Sequence, residues 1–289
     1  MTHPRVPMSD SGEGAPVMLL HSSGSSARQW RSAMEHLQRG YRVLAPDLVG
    51  HGASEDWGHE SPSLAVEARR LEPVVRAQGE RLHLVGHSYG AAVAMKIAVM
   101  YPDTVRSLTL YEPVAFRLLQ LSRHGRATLA EVLAVKNAIG GSLRRGDPEP
   151  GAHRFFDYWS GSASWQRLNR QQQCRIVARM ETVYRTFVSL MTDDTTLADL
   201  REVRVPVLCL FGVGCRRPVR EIISVMGRGL RRFRVRGPVG AGHMAPVVDA
   251  ARVNPVIAGF IACHTPATIR FSVPATGMAP EVSPLPALR

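Results

Sequence analysis

The residues Gly86-His87-Ser88-Tyr89-Gly90 hold the chemistry most readily named in this chain. They follow an apolar run, residues 82–85, and precede an alanine-rich stretch, residues 91–100, with a helical pattern. Gly-x-Ser-x-Gly between a strand and a helix is a nucleophile elbow, a turn so sharp that its serine hydroxyl stands exposed at the tip. Gly86 and Gly90 suit the flanks, where a Cβ would collide with the neighbouring chain. The serine also sits at a helix N-terminus, where free N–H groups favour developing negative charge.

A serine hydroxyl is a poor nucleophile until a base takes its proton, and the base needs an acid to fix its tautomer. His243 is the expected base. It lies in Gly240-Ala241-Gly242-His243-Met244, between the last strand and the last helix. His87 lies inside the elbow and His83 in the strand before it, and His124, His153 and His264 lack the strand-end context. The expected acid is Glu112, in Leu110-Tyr111-Glu112-Pro113, where Pro113 ends the strand one place beyond the elbow. Asp193, Asp194 and Asp199 are the alternatives. Backbone N–H groups of Tyr89 and Ser23 are the expected oxyanion donors, Ser23 from the loop His21-Ser22-Ser23-Gly24-Ser25-Ser26.

The elements that must position these residues alternate strand and helix. Strands are predicted over residues 17–20, 41–45, 82–85 and 105–111, and helices over 27–39, 64–77 and 91–100. That rhythm implies a mostly parallel α/β sheet with helices on both faces. It breaks near Phe116. Residues 116–200 offer helical stripes, including Leu129, Val132, Leu133 and Ile139 and a longer one over 176–191, but no strand. They are expected to form an inserted helical cap, with a polar loop over 144–151 and an aromatic cluster of Phe155, Phe156, Tyr158, Trp159 and Trp165. The sheet pattern resumes at 207–211 and ends with a helix over 245–261. The α/β core is thus expected over 16–115 and 201–263. Residues 1–15, rich in Pro, Gly and Ser, and the proline-rich 264–289 read as flexible tails.

Composition narrows the function further. The net charge of +12 is carried almost entirely by arginine, since only Lys96 and Lys136 are lysine among 36 basic residues. Arginine is spread evenly and never runs beyond two in a row, which suits a solvated surface and gives no nucleic-acid-binding motif. No apolar run approaches the roughly 20 residues that span a bilayer. Cys174, Cys209, Cys215 and Cys263 show no metal-ligand spacing. With no apolar leader at the start, a reduced cytoplasmic setting is expected. A small-molecule substrate, with no metal or organic cofactor, no nucleic acid and no membrane, follows as the expectation.

Together the segments Leu19-Leu20-His21-Ser22-Ser23-Gly24, Asp47-Leu48-Val49-Gly50-His51-Gly52-Ala53-Ser54, 86–90 and 240–243 resemble the α/β-hydrolase superfamily, in its cap-bearing, small-esterase-like branch, over about residues 16–263. The resemblance implies a structural role for Asp47 and His51. It implies acyl transfer from a small or medium ester by way of an acyl-enzyme. Carbon–carbon, lactone or thioester cleavage, acyl transfer to an alcohol, and a non-catalytic ligand-binding role are the rival readings. The chain departs from the superfamily in three places. Ser22 stands where such families usually carry glycine. The N-terminal hairpin is shortened or absent. The loop after residues 207–211, the usual site of the acid, reads Gly212-Val213-Gly214-Cys215-Arg216-Arg217 and holds no carboxylate. Haloalkane dehalogenases among the relatives place their acid at the Glu112 position, but they use an aspartate nucleophile, so Ser88 argues against dehalogenation.

Overall fold

The computed structural model describes residues 6–267. Seven strands form one sheet: β1 (Met8–Ser11), β2 (Ala15–Leu20), β3 (Tyr41–Pro46), β4 (Leu82–His87), β5 (Val105–Tyr111), β6 (Val207–Leu210) and β7 (Phe233–Arg236). Their spatial order is β1-β3-β2-β4-β5-β6-β7. All neighbours are parallel except β1, which runs antiparallel to β3 with Met8 opposite Pro46. The chain therefore delivers the C-terminal ends of β2, β4, β5, β6 and β7 to one edge, in that sequence across the sheet.

Strands β2 and β4 are buried along their whole length, β2 as a continuous apolar run and β4 with its buried His83 and His87 hydrogen-bonded. The covering helices are α1 (Arg31–Leu37), α2 (Leu64–Arg76), α3 (Tyr89–Met100), α9 (Arg217–Gly229), α10 (Ala245–Val248) and α11 (Ala250–His264). One apolar cluster gathers α2, α3 and α9 against the sheet, and a second gathers α1 and α11 on the other face. Helix α3 can lie this close because its inner residues are Ala91, Ala92, Ala94 and Ala98, all buried.

Every element between β5 and β6 is helical: a 3-10 stretch over Phe116–Leu121, then α4 (Gly125–Arg144), α5 (Glu149–Ser160), α6 (Arg170–Val177), α7 (Met180–Thr192) and α8 (Leu197–Glu202), with a short 3-10 turn at Trp165–Arg167. Two expectations are refined here. The stripe over 176–191 belongs to two helices, α6 and α7, separated by Ala178 and Arg179. The polar loop over 144–151 is shorter than its composition suggests, because Pro150 sits in the first turn of α5, where its missing N–H costs nothing.

The expected tail over 1–15 is corrected. Met8–Ser11 forms the edge strand β1, and Ala15 already belongs to β2. An edge strand with exposed side chains needs no apolar alternation, so Met-Ser-Asp-Ser gave no strand signal. Its ladder and an ion pair of 2.7 Å between Arg42 and Asp10 hold it to β3. The helix expected over 245–261 is broken at Asp249 into α10 and α11. The proline-rich segment expected over 264–289 lies outside the described residues apart from its first four, and His264 itself closes α11.

Candidate active site

Ser88 leaves the end of β4. Its backbone N–H still donates to Tyr111 O, as if the strand continued, and then the chain turns into α3. The turn holds Ser88 at φ 54°, ψ −112°, a conformation costly for a residue with a Cβ. A Cβ on Gly86 would lie 2.4 Å from Gly90 O, and one on Gly90 would lie 2.2 Å from Leu20 O. Neither position tolerates a side chain.

One strand over, Glu112 repeats the manoeuvre. Its N–H donates to Leu210 O and its φ is +43°. Only three described non-glycine residues have positive φ, and two of them are Ser88 and Glu112. From the loop beyond β7, His243 reaches back over both. Ser88 Oγ donates to His243 Nε2 at 3.0 Å, and His243 Nδ1 donates to Glu112 Oε2 at 2.7 Å. Exposures of 7% for Ser88, 6% for His243 and 0% for Glu112 leave the three groups little water to compete for these bonds. The sequence-predicted serine, base and acid are therefore brought into one hydrogen-bonded line.

The surroundings of Glu112 explain how a buried carboxylate stays charged. Burial pushes its pKa up, but the hydrogen bond and charge of His243, the Gly212 N–H donated to Oε1 at 3.0 Å and the Cys215 thiol together outweigh it and hold the carboxyl below its ordinary 4.5. The loop after β6, which carries no acid of its own, here supplies donors to the acid next door. Tyr111 anchors the histidine loop, its hydroxyl lying 2.9 Å from Val239 O and 3.0 Å from Gly242 O. A Cβ on Gly212 would lie 2.5 Å from Gly242 O and 2.6 Å from the Tyr111 hydroxyl, so glycine is required for the two loops to meet.

Asp193, Asp194 and Asp199 are not brought to His243. Lys96 Nζ, on α3, lies 3.0 Å from Asp193 and 2.5 Å from Asp194, bolting the end of α7 to the helix behind Ser88. Asp199 closes a capping box with Thr196 at the start of α8.

On the other side of Ser88, the β2 loop is held by buried histidines. His21 Nδ1 donates to Ser22 O while its Nε2 accepts from Leu48 N. His51 Nδ1 donates to Val49 O while its Nε2 accepts from Gly24 N. These bonds need the neutral rings, and burial lowers His21 to about 3 and His51 to about 4. Asp47 accepts from Ala27 N at 2.7 Å and Ala53 N at 2.9 Å, a purely structural task. Ser23 Oγ donates to Thr186 Oγ1 at 2.6 Å, because the Thr186 hydroxyl is itself spent on Val183 O. Ser23 and Tyr89 line the same cavity as Ser88 and His243. Tyr89 is the first residue of α3, where the helix offers its N–H no carbonyl four residues back.

That cavity, of about 240 Å³, lies between the sheet edge and the helical insertion. Phe155, Phe156, Trp159, Val183, Phe187 and Leu190 form most of its roof. Trp159 stacks on the His243 imidazole at 4.2 Å between centroids and 27°. Arg179 is the one arginine or lysine among the described lining residues, and its Nη1 donates to Gly24 O at 2.7 Å. Sequence reasoning treated Trp159 as part of an aromatic cluster and set His87 aside. It did not single out Gln29, Thr186 or Arg179. Trp159 was visible as a type; the others carry no spacing signal. No group of described residues could hold a metal ion, and no described helix is long and apolar enough to cross a membrane.

The family model of the alpha/beta hydrolase family matches residues 17–256. The chain belongs to the alpha/beta hydrolase family. Among curated proteins it is 36% identical over 110 residues to 2-hydroxymuconate semialdehyde hydrolase of Pseudomonas sp. strain CF600, a match covering 37% of this chain and 39% of that one. It is 38% identical over 109 residues to 2-hydroxy-6-oxo-2,4-heptadienoate hydrolase of Pseudomonas putida F1, covering 35% and 38%. These matches thus span about two fifths of each relative's length. Among solved structures, MenH from S. aureus superposes with a TM-score of 0.71 at 19% identity, over 91% of this chain and 99% of that one. A thermophilic esterase from Thermogutta terrifontis superposes with a TM-score of 0.69 at 23% identity, over 90% and 94%. At such identities the likeness is one of fold.

Proposed function

We propose that this alpha/beta hydrolase is a serine hydrolase that cleaves a small or medium carboxylic ester through an acyl-enzyme. The observation that carries the reading is the continuous line Ser88–His243–Glu112 at 3.0 and 2.7 Å. His243 takes the Ser88 proton as Oγ attacks the carbonyl carbon. Glu112 keeps the proton on Nδ1, so that Nε2 is the free base, and stabilises the imidazolium that forms. The oxyanion faces the N–H groups of Tyr89 and Ser23. His243 then returns its proton to the leaving alkoxide, and the same imidazole activates water to release the acid. The helical insertion serves as the cap, and its apolar roof supports an acyl or alkyl group of modest size. Four free cysteines support a reduced, cytoplasmic setting.

The test uses p-nitrophenyl butyrate and a fluorophosphonate probe. Wild type should turn over the ester and be labelled at Ser88, and Ser88→Ala should lose both while keeping its far-UV circular dichroism. Turnover retained by Ser88→Ala removes the serine from the mechanism.

A second reading draws on the names of the relatives. The same triad would hydrolyse a carbon–carbon bond next to a ketone, as the names of the dienoate hydrolases imply for those enzymes. Arg179 at the cavity wall favours it, as a cation suited to a carboxylate-bearing substrate. Product trapping with a β-diketone against the simple ester separates the two.

A further inference from the structure

A single side-chain amide joins the three loops of the site. Gln29 lies on the 3-10 turn Ala27–Trp30, behind the β2 loop. Its Oε1 accepts from Ser22 N at 3.1 Å and from Ser22 Oγ at 2.7 Å. Its Nε2 meets His87 Nδ1 at 3.1 Å, inside the elbow. His87 Nε2 meets the backbone carbonyl of His243 at 2.8 Å.

The direction of every proton in this line follows from its two ends. A backbone N–H can only donate, so the Gln29 atom facing Ser22 is the oxygen and the atom facing His87 is the NH₂ group. A carbonyl can only accept, so His87 carries its proton on Nε2 and presents a bare Nδ1 to that NH₂ group. The line reads Ser22 N–H to Gln29 to His87 to His243 C=O, with one donor and one acceptor at each junction. Burial holds His87 well below its ordinary 6.5, in keeping with the neutral ring the pattern needs.

We propose that Gln29 and His87 are positioning residues that set the oxyanion loop, the elbow and the base in register. The proposal rests on the serine-hydrolase reading. Neither side chain bonds to Ser88 Oγ or to the His243 ring nitrogens. They act instead through the residue before Ser23 and the main chain of His243. Displacement of either loop by about 1 Å is enough to lower a rate by up to a hundredfold.

Two substitutions of similar size separate this role from mere support. Gln29→Leu removes donor and acceptor together. It should lower kcat for p-nitrophenyl butyrate by about tenfold to a hundredfold, leave KM within about threefold, and show the same deficit at every pH. Gln29→Glu keeps the acceptor for Ser22 but sets a carboxylate oxygen against the bare Nδ1 of His87. The line is restored only when one further proton is shared between that carboxyl and Nδ1. The ratio of its kcat to that of wild type should therefore climb as pH falls from about 9 to about 5. Long-range ¹H–¹⁵N correlation of the histidine rings supplies the direct readout. His87 should be the Nε2–H tautomer and silent to titration in wild type, and should titrate in Gln29→Glu.

Near-normal kcat in Gln29→Leu, a pH-independent ratio for Gln29→Glu, or an Nδ1–H tautomer in wild type overturns the proposal. Failure of the fluorophosphonate to label wild type sinks the hydrolase reading instead, and the tautomer measurement still decides whether the line exists.

Discussion

The floor and the roof of the cavity are built on opposite terms. The floor is polar: Ser88, His243, Glu112, Ser22 and Gln29 are joined by hydrogen bonds of 2.7–3.1 Å and rest on loops leaving a fully paired sheet. The roof is apolar, made of Phe155, Phe156, Trp159, Val183 and Phe187 on helices held mainly by side-chain packing. Directional bonds tolerate little displacement, whereas dispersion contacts can be exchanged for others of similar volume. On the proposed serine-hydrolase reading, the floor sets whether chemistry occurs and the roof sets which acyl or alkyl group is accepted.

The sharpest way to break that division is at the floor. Ser88→Ala should lower kcat for p-nitrophenyl butyrate by about 10⁴-fold or more with an unchanged melting temperature. Glu112→Gln should cost about 10³- to 10⁴-fold, because the amide can present its NH₂ group to Nδ1 and favour the wrong tautomer, while Asp194→Asn stays within about threefold. A crippled Asp194→Asn beside a healthy Glu112→Gln would move the acid to the end of α7.

The floor should also be the part that fails in acid. His21, lowered to about 3, and His51, lowered to about 4, stay neutral when folded but protonate below about 6.5 when unfolded. Their share of stability is present above 6.5 and is lost as pH falls towards 4 and then 3, amounting to about 3–5 kcal/mol each. Glu67, pushed by burial to about 7 and accepting from Tyr89 Oη at 3.0 Å, works in the opposite sense: its share falls as pH rises from 4.5 to 7. That opposing term is only about 3 kcal/mol, so the two histidines prevail. Urea midpoints should drop between pH 7 and pH 5, and a midpoint that rises would contradict the neutral-histidine account of the β2 loop.

Roof substitutions should have smaller and different consequences. Phe187→Ala removes a ring stacked on Phe116 at 5.8 Å between centroids and should cost about 3 kcal/mol of stability. Its kcat on a short ester should stay within about tenfold, while the preferred acyl chain lengthens, as a chain-length series will show. Trp159→Leu is the smallest change and the most telling. Losing the ring stacked on His243 should cost about 1 kcal/mol, a fewfold effect on kcat. A loss near that of Glu112→Gln would show that the division between floor and roof is false.

Much of the floor was legible in the sequence because its constraints are local. A glycine-flanked serine, a strand ending at Glu112-Pro113 and a glycine-rich loop around His243 each declare themselves within five residues. Glu112 stood out partly by absence, since the loop directly after β6 carries no carboxylate. What stayed hidden depends on contacts across the chain. Gln29 and His87 are separated by 58 positions, and neither has a neighbour that marks it. Trp159 lies in an aromatic cluster whose members face both core and cavity, and composition cannot sort them. Strand β1 was read as a loose end because an exposed edge leaves no apolar pattern.

The seat at Gly212 has a consequence for how this layout could have arisen or could be undone. A carboxylate installed in the β6 loop within reach of His243 would compete with Glu112, and two like charges beside a single imidazole would drive one of them to keep its proton. At Gly212 itself the added carbon would also strike Gly242 O and the Tyr111 hydroxyl. Relocation by single replacements would therefore pass through a chain with two competing carboxylates or with none. The seat beside the His243 imidazole thus has room for one carboxylate, and Gly212 keeps that place for Glu112.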